Sequence, residues 1–101
     1  MNLQQMEYIV ALDTHRHFVK AAQSCGVSQP TLSTLINKLE EELDTVIFDR
    51  NCHPIRPTVI GEQIINQAKV VLYNISRLKE IALSEREQNS GLLRLGVIPT
   101  V

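Results

Sequence analysis

Tryptophan is absent from this sequence, and only two tyrosines and two phenylalanines stand among its 101 residues. Any core is therefore expected to be mainly Leu, Ile, Val and Ala. The apolar fraction, 44%, is ordinary for a globular domain. Cysteine is scarce too. Cys25 and Cys52 are too few for a disulfide framework, so a reducing cytoplasm is the expected setting. No apolar run is long enough to span a bilayer, and the N-terminus lacks the basic-then-apolar pattern of a signal peptide. No membrane partner is expected. The sequence also lacks a glycine-rich phosphate loop and any nucleophile with an assigned base, so it does not read as an enzyme and implies no cofactor. His15, His17, Cys52 and His53 follow no usual zinc spacing, and no metal site is expected.

A strong excess of one charge is missing as well. The net charge is −1, which is weak support for a nucleic-acid partner. The distribution says more than the sum. Thr14–Leu39 contains no acid but carries His15, Arg16, His17, Lys20 and Lys38, and Arg50–Gly61 contains no acid but carries Arg50, His53 and Arg56. The carboxylates gather at Glu40, Glu41, Glu42, Asp44 and Asp49. A phosphate-compatible face can exist on such a chain, with few cations and a shallow salt dependence.

What is present centres on Ser28–Leu39. Leu32, Leu35, Ile36 and Leu39 recur at three- and four-residue spacing and mark an apolar helical stripe. Gln29, Ser33 and Asn37 recur every four residues on another face, with amide and hydroxyl groups suited to base edges in a major groove. Ser28 is a good N-cap, and Pro30 falls in the first turn, where a missing N–H costs little. The segment before it makes the reading more specific. Leu3, Met6, Ile9, Val10 and Asp13 mark one face of a first helix over 3–14, with Asn2 and Gln5 as a capping box. Phe18–Cys25 reads as a short helix with Phe18, Ala21, Ala22 and Cys25 inward. Gly26 closes it, and Val27 packs back. Small Ala22, turn-making Gly26, then Leu32 and Leu35 form a helix-turn-helix pattern.

The periodicity changes after Leu43. Val46–Phe48 and Ile55–Arg56 read as two very short strands of a wing, with Pro54 and Pro57 limiting their ladder. Thr58 can cap a long final helix running to about Gln88. Along it Ile64, Ala68, Val71, Ile75, Leu78 and Ala82 alternate by four and three, with Leu72 on an adjoining face. So much apolar edge predicts a homodimer. After a break at 88–91, Leu92–Ile98 has strand character with nothing to pair with, as expected of a piece of a longer protein. The expected organisation is therefore mainly α: a winged helix-turn-helix over 1–58, a linker helix for dimerisation over 59–88, and a hinge with the first strand of a further domain over 89–101.

Phe18-Val-Lys-Ala-Ala22, Val27-Ser-Gln-Pro-Thr-Leu-Ser33, Leu39-Glu-Glu-Glu-Leu43, Ile47-Phe-Asp-Arg50, Thr58-Val-Ile-Gly-Glu62 and Leu93-Arg-Leu-Gly96 resemble the N-terminal part of a LysR-type transcriptional regulator. His15-Arg-His-Phe18, Ser24-Cys25 and Gly96-Val-Ile-Pro-Thr-Val101 resemble its peroxide-responsive, OxyR-like branch. The resemblance implies a dimer, or a tetramer of the intact protein, that reads an inverted-repeat operator in double-stranded DNA. It also implies a C-terminal domain sensing peroxide or a small molecule, with RNA polymerase as a further partner. Gln29, Pro30, Ser33, Thr34 and Asn37 become base-contact candidates. Ser28, Thr31, Lys38, Arg50 and His53 become backbone-contact candidates. Ile64, Ala68, Val71, Leu72, Ile75 and Leu78 become the dimer seam. Two departures matter. Thr34 and Asn37 stand where the family often has Arg, and Asp44 replaces its usual glycine. The redox cysteines of that branch would lie beyond this segment, so neither Cys25 nor Cys52 is given that role. The rival reading is a protein-interaction module whose working surface is the long helix.

Overall fold

The computed structural model describes residues 1–89, with side chains through residue 86. The expected hinge and strand after Asn89 lie outside the described residues. Four helices and one small hairpin follow in order: α1 Leu3–His15, α2 Phe18–Cys25, α3 Gln29–Leu43, β1 Phe48–Asp49, β2 Arg56–Pro57 and α4 Val59–Asn89. The winged helix-turn-helix expected from the sequence is present.

Local signals set the helix ends. Asn2 and Gln5 form the expected capping box at α1. Gly26 closes α2 at φ 71°, donating its N–H to Gln23 while Val27 donates to Ala22, which is a Schellman closure. α3 ends the same way. Asp44 takes the left-handed conformation at φ 51°, with its N–H on the Glu41 carbonyl and that of Thr45 on Glu40. An aspartate tolerates this region better than most residues, which is why the family's glycine is dispensable here.

One core joins all elements. Tyr8, Ile9 and Leu12 of α1, Ala21 and Ala22 of α2, Leu32, Ile36 and Leu39 of α3, Ile47 and Phe48 beside the wing, and Ile65 and Ala68 of α4 are buried together. The buried face of α1 is rotated from the expected one. Gln5, Tyr8, Ile9 and Leu12 point inward, Met6, Val10 and Asp13 are half-buried, and Leu3 is exposed. Tyr8, Ile9 and Leu12 supply its apolar burial. Gln5 joins them because its amide nitrogen donates to the Leu35 carbonyl at 3.0 Å, which satisfies a polar side chain on the inward face.

The wing strands are each two residues long and shifted by about one residue from expectation, pairing Phe48 with Pro57 and Asp49 with Arg56. Thr58 then ties the wing to α4. Its hydroxyl donates to the Val46 carbonyl at 2.6 Å and accepts the Gly61 N–H at 2.9 Å. Only the first part of α4 belongs to the core. Beyond Ile75 every described side chain is exposed, and the molecule measures 59 × 25 × 18 Å along its principal axes. No helix of the described residues is long and apolar enough to cross a membrane.

Candidate nucleic-acid interface

The geometry of α3 follows from its two faces. Leu32 and Ile36 are fully buried and Leu39 nearly so, which fixes the helix by one stripe. Gln29, Pro30, Thr31, Thr34, Asn37 and Lys38 are then exposed, and Ser33 is half-buried at their edge. Ser28 starts the helix by accepting the Thr31 N–H at 3.3 Å, and its hydroxyl also meets the Thr31 hydroxyl at 2.9 Å. Two of the groups proposed from sequence for backbone contact, Ser28 and Thr31, thus already share a bond within the cap. Pro30 offers no N–H.

Asn37 and Arg50 are brought together. The Arg50 guanidinium donates to the Asn37 side-chain oxygen at 2.9 Å and to Glu40 Oε1 at 3.1 Å. It also lies 5.7 Å from the centre of the Phe18 ring, so it links the start of α2, the middle of α3 and the wing. Glu40 completes the joint. Its Oε2 accepts the N–H groups of Ile47 and Phe48 at 2.8 and 3.2 Å. The carboxylate thereby holds the wing against α3.

The sequence reading places Glu40 in an acidic cluster and in the Leu39–Leu43 motif, without a role of its own. The signal was its position, three residues after Asn37 and four after Ile36, on the flank between the buried and polar faces. Glu41 and Glu42, one and two residues on, are exposed. Arg16, counted among the cations of the acid-free stretch, is occupied elsewhere. It closes α1 at φ 56° and donates to the Asp13 carboxylate at 3.0 Å, with Lys69 3.8 Å from the same residue. Lys20, Lys38, Arg56 and His53 are exposed. Within α2, His17 serves as N-cap, its Nδ1 accepting the Lys20 N–H at 3.4 Å.

The cysteines are half-buried free thiols. Cys25 packs against the core, and the Cys52 thiol meets Asp49 Oδ2 at 3.5 Å. Among the described residues no group of three or more His, Cys, Asp or Glu is arranged to hold a metal ion.

The expected dimer seam is divided. Ala68 is buried against this chain's own domain and Ile64 is half-buried there. That makes Ala68 a core residue rather than a free seam position. Val71, Leu72 and Ile75 are partly covered, while Leu78 is 65% exposed, with Tyr73, Ile81 and Leu83 also open.

Comparison with known proteins agrees with this architecture. Residues 3–62 match the family described as bacterial regulatory helix-turn-helix protein, lysR family. The chain is 48% identical over all 101 residues to the hydrogen peroxide-inducible genes activator of Escherichia coli, covering 33% of that protein. The chain thus spans about a third of the length of such curated relatives. Among solved structures, a full-length OxyR variant from Pseudomonas aeruginosa superposes with a TM-score of 0.79 at 44% identity, over 83% of this chain and 28% of that one. The BenM DNA-binding domain in complex with catB DNA superposes with a TM-score of 0.80 at 30% identity, over 90% of this chain and 96% of that one.

Proposed function

Because the chain belongs to the LysR family of bacterial regulatory helix-turn-helix proteins, we propose that it is the DNA-reading and dimer-forming segment of a transcription regulator. The observation that carries this reading is the polar face of α3. It is exposed at Gln29, Pro30, Thr34, Asn37 and Lys38, with Ser33 half-buried at its edge, while the opposite stripe is buried, and the wing is clamped beside it by Glu40. Gln29, Pro30, Ser33, Thr34 and Asn37 are the residues proposed to meet base edges. Lys38 is proposed to hold the phosphate backbone, with Ser28, Thr31, Arg50 and His53 beside it.

Two protomers joined along the outer part of α4 would present two α3 helices to an inverted repeat. The exposed apolar side chains from Tyr73 to Leu83 support that assembly. A tetramer is the further assembly proposed for an intact protein, with RNA polymerase as a partner and the cytoplasm as its place of action. The relative named for hydrogen peroxide induction supports peroxide as the signal. On this reading the sensing step belongs to the part of those relatives that the chain does not span.

The test is selection of this chain against random duplexes at two salt concentrations, with sequencing of the bound fraction. An enriched inverted repeat of fixed half-site spacing is the expected result. Salt-sensitive retention without enrichment would mean phosphate holding alone. A folded dimer that retains no duplex at low salt would overturn the proposal and return α4 to a protein-interaction role.

A further inference from the structure

We infer that Arg50 locks the Asn37 carboxamide so that it faces DNA as a hydrogen-bond donor only, making Asn37 a reader of guanine and an excluder of adenine. This rests on the DNA-reading role proposed above and assigns a base preference within it.

A guanidinium has donors and no acceptor. The Asn37 atom 2.9 Å from Arg50 Nη2 must therefore be the oxygen, and the amide nitrogen lies on the other branch of the side chain. Arg50 has other partners that favour this position. Its other terminal nitrogen is on Glu40 Oε1 at 3.1 Å, its charge lies over the Phe18 ring, and Glu40 is itself held by the backbone of Ile47 and Phe48. The lock thus draws on α2, α3 and the wing together.

An unconstrained asparagine favours adenine, because its oxygen accepts from N6 while its nitrogen donates to N7. Here Arg50 takes one of the oxygen's two lone pairs, and its positive charge disfavours a second donor at the other. The end turned away from Arg50 offers N–H groups only. Adenine would set its own N6 donor against that end, and cytosine would do the same with N4. Guanine presents two adjacent acceptors, O6 and N7, and meets both demands. Asn37 lies eight residues after Gln29 on the same exposed face, which places it where α3 would follow the groove.

The test is random-duplex selection with the wild-type chain and three variants. The wild type should enrich guanine over adenine by roughly tenfold at one base pair of each half-site, the order expected of a specific base contact. Asn37→Ala should abolish that preference at that pair alone. Arg50→Met keeps an apolar stem over Phe18 but removes the lock, and should turn the same pair toward adenine. Asn37→Asp keeps the bond to Arg50 while removing both donors, and should lose guanine without any change to Arg50. It covers the case in which Arg50→Met does not fold.

An Asn37-dependent pair that is adenine in the wild type would overturn the inference. So would guanine retained in Asn37→Asp, or an Asn37→Ala effect that weakens all sequences equally, which marks a phosphate contact. If the wild type enriches a site that Asn37→Ala leaves unchanged, only this inference fails. If the wild type enriches nothing, the DNA-reading proposal fails with it.

Discussion

The first turn of α4 passes so close to the segment before the wing that a Cβ on Gly61 would fall inside the hard-sphere limit of the Ile47 carbonyl oxygen and 2.8 Å from its carbon. Gly61 is buried, and its N–H is held by Thr58 at 2.9 Å. The obstacle is backbone, which cannot swing aside like a side chain. In an open helix Gly61→Ala would gain about 1 kcal/mol of propensity. Here overpacking of about 3 kcal/mol should outweigh it. We expect a net loss of about 2 kcal/mol, read as a fall in Tm of roughly 10 °C in a domain of this size. An unchanged or raised Tm would show that α4 can move off Ile47 without cost.

Glu40 makes a second such joint, now through a charge. Ile47 and Phe48 are almost fully buried, so removing the acceptor strands two N–H groups away from water. Glu40→Ala should cost roughly 3 kcal/mol on that account. Glu40→Gln keeps one oxygen for those N–H groups and loses mainly the pairing with Arg50. That pairing is worth about 1 kcal/mol or less, because the Arg50 side chain is 37% exposed. Urea unfolding at constant m should rank the alanine variant well below the glutamine variant. Equal losses in the two would mean that the ion pair, and not the backbone bonds, holds the wing.

These joints mark where the sequence stopped being readable. The bounds of α2, the Asn2 box, the Ser28 cap and the turn at Gly26 depend on partners within about five residues, and their residue types declare them. Gln5 on the Leu35 carbonyl spans 30 positions, and Arg50 on Asn37 spans 13. Hydropathy periodicity treats such polar residues as surface, so it turned the inward face of α1 away from Gln5. The resemblance likewise gives Arg50 as a DNA-contact candidate apart from Asn37, and nothing local in the sequence shows that the two side chains are bonded to each other. The heptad count along α4 was legible, but periodicity does not tell a chain's own core from a partner's. Ala68 went to the former.

That division of α4 has a measurable consequence. Ile65 is 1% exposed within the domain, whereas Leu78 is 65% exposed. Leu78→Glu should leave the helix content and the winged domain intact while moving the chain from dimer to monomer in sedimentation. A two-fold interface removes the side chain twice, at about 1.5–3 kcal/mol each. The dimer Kd should therefore rise on the order of 100-fold or more. Ile65→Asp should unfold the domain itself. If Leu78→Glu sediments as the wild type does, the seam lies on another face, with Tyr73 and Ile81 the next positions to change.

Gln29 and Lys38 separate reading from holding. Both are exposed on α3, but an amide can pair with a base edge in two directions while an ammonium meets any phosphate. Gln29→Ala should cost about 1–3 kcal/mol on the selected operator, and far less on unrelated duplex. Lys38→Ala should weaken both alike and lower the salt slope by about one. Titrations of operator and scrambled duplex at several salt concentrations give all four numbers at once. Should Gln29→Ala weaken both duplexes equally and Lys38→Ala spare the scrambled one, the two roles are exchanged. The reading end of α3 would then be its C-terminal half, around Asn37, rather than its capped start.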